Sequence, residues 1–71
     1  MFKVITQTIH ESPTFSETTH IVQRFNGRFE TLTEVETLTE ARQLAEQGAR
    51  MEAGKGQAQP VRFETNQCYQ Y

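Results

Sequence analysis

Apolar and polar residues alternate loosely over residues 2–9 (Phe2, Lys3, Val4, Ile5, Thr6, Gln7, Thr8, Ile9), and this β-branched stretch of period two predicts a first strand. Residues 10–18 collect Ser, Thr and Glu around Pro13, which removes a backbone donor and biases Ser12 away from helix, so the segment reads as a loop. β-type residues resume over 19–25. Asn26-Gly27 follows, the strongest short-range hairpin signal, and residues 28–36 form the return strand. A two-residue turn pairs Phe25 with Arg28 and sets Ile21 opposite Leu32. One face of that hairpin then carries Val22, Phe29 and Val35 with His20 and Arg24, and the other Ile21, Phe25 and Leu32. Apolar residues on both faces point to a helix covering one and a half-exposed second face.

Thr37-Leu38-Thr39-Glu40 is a capping box: the Thr37 hydroxyl accepts from the Glu40 amide and the Glu40 side chain returns to the Thr37 amide. Ala41, Leu44, Ala45, Gly48 and Met51 then recur at helical spacing, predicting a buried stripe. Gly48 lowers helix propensity by roughly 1 kcal/mol relative to alanine, so its place in the stripe predicts a close approach of helix to sheet. Gly54 ends the helix and residues 54–60 are a polar connection. Residues 61–65 begin a further strand with Val61 and Phe63 on one face, and residues 66–71 extend it or form a fifth. The expectation is one α+β domain over residues 1–71, an antiparallel sheet of four to five strands packed on one helix in the order β-β-β-α-β.

Size and charge narrow the function. A chain of 71 residues buries only about 60% of the surface its unfolded form exposes, and such domains commonly gain stability from a disulfide, a metal or a second chain. Cys68 is the one cysteine, which favours a reducing compartment; with no signal-like or membrane-spanning apolar run, a cytoplasmic location and no membrane partner are expected. Seven basic residues stand against nine acidic ones, all glutamate, for a net charge of −2. This balance offers no electrostatic footprint for duplex nucleic acid.

Candidate chemistry is sparse. His10, His20 and Cys68 match no zinc-ligand spacing, so no metal is expected. Ser12 and Ser16 share a polar loop with His10 and Glu11, and Cys68 reads as a small packed side chain; neither suggests a nucleophile with its base. Gly48, Gly54 and Gly56 make no phosphate loop, since Lys55 follows a helix instead of preceding one. No catalytic residue and no cofactor are expected. What remains is surface. With Leu44 inward, the helix turns Arg42, Gln43, Glu46, Gln47 and Arg50 outward, and Arg24 and Arg28 flank the hairpin tip beside Phe25 and Phe29. Arginine and aromatic residues are enriched in interfaces, so Arg42, Gln43, Gln47, Arg50, Arg24 and Arg28 are the candidate partner-binding residues. A homodimer using a strand edge or the second sheet face is the alternative reading.

At Val35-Glu36-Thr37-Leu38-Thr39-Glu40-Ala41-Arg42-Gln43-Leu44-Ala45, and again at Val61-Arg62-Phe63-Glu64-Thr65, the chain resembles small phage-encoded anti-CRISPR proteins that inhibit type I CRISPR surveillance complexes. The likeness covers about a third of the chain and extends to its length and order of strands around one helix. In those relatives a basic pair follows the first helical alanine; here Arg42 keeps the first charge and Gln43 replaces the second. The resemblance implies a non-enzymatic inhibitor whose partner is a large intracellular ribonucleoprotein complex, blocked by occupation of a protein surface.

Overall fold

The computed structural model describes residues 1–54 and 56–71; Lys55, and with it the lysine weighed above for a phosphate loop, lies outside the described residues. Five elements follow in the expected β-β-β-α-β order: β1 (Phe2–Ser12), β2 (Phe15–Phe25), β3 (Phe29–Val35), α1 (Leu38–Ala53) and β4 (Arg62–Tyr69). They form one four-stranded sheet, ordered β3-β2-β1-β4, with one helix. β1–β2 and β2–β3 are antiparallel as expected, whereas β4 runs parallel to β1, so the sheet is mixed.

The segment expected to be a loop is mostly strand. β1 continues to Ser12 and β2 starts at Phe15, leaving only Pro13 and Thr14 for the turn. Threonine is both polar and β-branched, and here its strand preference wins. Thr8 and Thr18 are partners across the two strands and their hydroxyls share a hydrogen bond of 2.9 Å.

The second hairpin departs from the two-residue turn. Of its loop residues only Gly27 has positive φ, at 80°, whereas a type I′ turn needs positive φ at both central positions. The loop takes three residues: Phe25 pairs with Phe29, and the Asn26 amide donates to the Arg28 carbonyl at 2.9 Å. A register shift then leaves Leu32 unpaired between Thr31 and Thr33, so His20 meets Val35 and Ile21 meets Glu34. Phe29 thereby joins the face of Phe25 and Ile21, instead of that of Val22 and Val35. The Phe25 and Phe29 rings lie 5.1 Å apart.

The cap at the start of α1 takes the first half of the expected capping box. Thr37 is extended and its hydroxyl accepts from the Glu40 amide at 3.3 Å. The buried stripe, however, is Ala41, Ala45 and Ala49, while Leu44 is exposed and Met51 is 83% exposed. Small side chains let the helix lie close to the sheet, and a Cβ placed on Gly48 would come within 2.5 Å of the Phe2 ring. The approach read from Gly48 is real; the larger residues of the expected stripe do not fit under it. The core is therefore thin. Phe2, Val4 and Val22 meet the three alanines, with Val35, Ala58 and Val61 packed around them. α1 packs on β1, β2 and β3, while its backbone makes no close approach to β4.

Candidate functional site

Because α1 sits over β1 to β3, the helix-side face of β4 is left open beside it. Residues 57–61 return along this side, with Ala58 and Val61 against the core. Helix flank, returning chain and strand together border a groove of about 550 Å³ whose lining includes Glu46, Ala49, Arg50, Pro60, Val61 and Phe63. A second recess of about 190 Å³ lies near the helix C-terminus, where Met1, Glu52 and Gln57 contribute.

Arg42, Glu46 and Arg50 follow one another at four-residue spacing, which aligns them along the flank of α1 that faces the groove. The Arg42 guanidinium stands over the Phe63 ring at 5.3 Å, a cation–π distance that couples helix to β4 through side chains. Arg50 leans back on its own helix: its Nε donates to the Glu46 carbonyl at 3.4 Å, and its Nη2 lies 3.9 Å from the Glu46 carboxylate. Both arginines remain exposed, and such surface ion pairs are weak enough for a partner's carboxylate or phosphate to displace.

The other candidates fall elsewhere. Gln43 and Gln47 are exposed on the outward side of α1, in company with Leu44 and Met51, away from the groove. Arg24 is on the helix side of the sheet, where its Nε meets the Glu52 carboxylate at 2.6 Å and ties β2 to the end of α1. Arg28 occupies the hairpin loop, 3.7 Å from Glu30. The six candidates thus divide into a groove flank, an outer helix face and a sheet-to-helix tie with a loop tip. Sequence reasoning passed over Phe63, Val61 and Pro60 as groove residues. The one available signal was the shared face of Val61 and Phe63, which carries no hint that the helix stops short of β4.

The polar cluster near Pro13 is built differently from its sequence reading. His10 Nε2 shares a 3.0 Å hydrogen bond with Gln67 Oε1, the Tyr69 hydroxyl donates to the same oxygen at 3.0 Å, and the His10 and Tyr69 rings stack at 4.4 Å. Neither cavity includes His10, Glu11 or Ser12 in its lining. His20 is buried and bonded to the Thr6 hydroxyl at 2.8 Å. Cys68 is exposed on β4, contrary to the packed side chain expected, because it sits on an edge strand and alternates onto the face away from α1. Among the described residues, no group of three or more His, Cys, Asp or Glu is placed to hold a metal ion. Comparison with protein-family models, curated proteins and solved structures finds no match for this chain.

Proposed function

We propose that this protein is a non-enzymatic binding protein, an inhibitor that occupies a surface of a type I CRISPR surveillance complex through the flank of α1 and the adjoining groove. The observation that carries the binding mode is the row Arg42, Glu46, Arg50 beside an open groove lined by Phe63 and Val61. Exposed arginine forks next to an accessible aromatic ring are the residue types that dominate binding energy when a partner desolvates them. The choice of complex rests on the resemblance of the capped helix and the Val61-Arg62-Phe63-Glu64-Thr65 strand described above.

The test is equilibrium binding to a purified type I surveillance complex, with the double substitution Arg42→Ala/Arg50→Ala as probe. The expected result is capture by the wild type and a loss of at least about thirtyfold for the folded double variant, the scale of central interface arginines. Arg28→Ala, at the hairpin tip, should bind as the wild type does. Undiminished binding by the double variant would move the contact off the helix flank. No binding by the wild type would remove the surveillance complex as partner.

A further inference from the structure

Among the described residues no second layer covers the face of the sheet opposite α1, and that face carries an apolar cluster set among polar neighbours. Strand alternation places Ile5 and Ile9 of β1 there with Ile21, Phe25 and Phe29, and Ile5 and Ile21 are direct cross-strand partners. Ile21 is only 9% exposed although it lies outside the cluster under the helix, so neighbours on its own face screen it. In the returning chain, Ala58 and Val61 pack on the helix side, against the core. We propose that a second copy of this chain packs here, sheet against sheet, as an isologous dimer.

Three observations favour that occupant. The first is the thinness of the core. Val4 and Val22 are its largest fully buried side chains and α1 adds only alanines, which places the single chain among small domains that gain stability by association. The second is area. Strands of 7 to 11 residues, at about 3.3 Å per residue and 4.8 Å between strands, give this face roughly 600 Å² in projection; side-chain relief raises it toward the about 800 Å² per partner of a stable interface. Charge is the third. Ile5, Ile9 and Ile21 sit on the two central strands, interleaved on the same face with Lys3, Gln7, Glu17, Thr19 and Gln23, while Glu34, Arg62 and Glu64 lie on the edge strands, so the charges around the isoleucines are of both signs. Of the central-strand charges on this face, Lys3 is already engaged, its Nζ donating to Glu64 at 3.4 Å and standing 3.9 Å over the Phe29 ring, while Glu17 lies opposite Ile9 toward the far end. A face bearing both signs is complementary to a copy of itself, whereas a partner of strong single charge finds no match.

Sedimentation equilibrium from low to high micromolar concentration tests this, alongside Ile5→Thr/Phe25→Thr, which keeps β-forming residues but removes apolar area. The expected result is a dimer whose dissociation constant rises at least about thirtyfold in the double variant. A wild type that stays monomeric at high micromolar concentration overturns the proposal. Arg50→Ala should leave the dimer constant unchanged; if it weakens the dimer, the helix flank is the contact and the open face is not. Should the double variant fail to fold, the wild type still decides, because Cys68 stands by alternation on this face beside Ile9. Its reaction with a maleimide slows as concentration rises in a face-to-face dimer, and a rate independent of concentration overturns the proposal. Amide exchange separates the remaining geometry: concentration-dependent protection confined to the β4 backbone marks edge pairing and overturns packing through the face.

Discussion

The two ends of the β1–β2 hairpin are built on different principles. At the end holding Phe2, Val4 and Val22, the strands lie under α1 and apolar side chains meet the alanine stripe. At the end holding Thr8, His10, Ser16 and Thr18, no helix covers either face. The reason is length. Sixteen helical residues span about 24 Å and eleven strand residues about 36 Å, so the hairpin outruns its cover and the molecule stretches to 48 Å. What holds the far end is pairwise: backbone ladders, the Thr8–Thr18 hydroxyls, and the His10–Tyr69 stack with its shared Gln67. Burial stabilises one end, cross-strand pairs the other, and the second kind of contact contributes less per residue.

That contrast yields a ranked set of measurements. Phe2→Ala, beneath the helix, should cost about 3 kcal/mol in urea denaturation, a large share of a small domain's stability; a loss under about 1 kcal/mol would mean the covered end is not where stability resides. Gly48→Ala should cost about 1–2 kcal/mol despite its better helix propensity, because its methyl group meets the Phe2 ring. In the Phe2→Ala background the same change should become neutral or stabilising, and a double-mutant cycle that shows simple additivity would refute the contact. Thr37→Ala should remove about 1 kcal/mol by taking away the hydroxyl that receives the Glu40 amide. Tyr69→Ala, at the far end, should cost no more than about 1 kcal/mol. Hydrogen exchange sharpens the same point: amides of β1 from Gln7 onward should exchange faster than those from Phe2 to Thr6, and uniform protection along β1 would erase the distinction.

The element order and the helix cap were legible because each depends on neighbours in sequence. Thr37 and Glu40 lie three residues apart, and Gly48 could be read as a close approach from its position alone. The stripe was misjudged by weighing side-chain size over spacing. Ala41, Ala45 and Ala49 recur at four-residue intervals, and that recurrence, more than Leu44 or Met51, marks a helix seated tightly on a sheet. Asn26-Gly27 located the hairpin but not its register, since one extra loop residue and the unpaired Leu32 together decide which face Phe29 takes. The groove was illegible for a different reason. It exists only because β4 pairs with β1 beyond the edge of the helix, and no local pattern in residues 61–69 records a partner so distant in the chain.

The pairing of β4 with β1 also sets an order of events during folding. Lys3 meets Arg62 and His10 meets Tyr69, so this seam joins residues about sixty positions apart, whereas the β1–β2–β3 meander and the helix form through shorter loops. Until β4 docks, β1 is an edge, with its Phe2, Val4 and Thr6 backbone groups open to any extended chain nearby. The time spent waiting for that strand is therefore the interval in which the protein is most vulnerable to mispairing. A change that slows only the docking of β4 should leave equilibrium stability nearly untouched and still lower the yield of refolded protein.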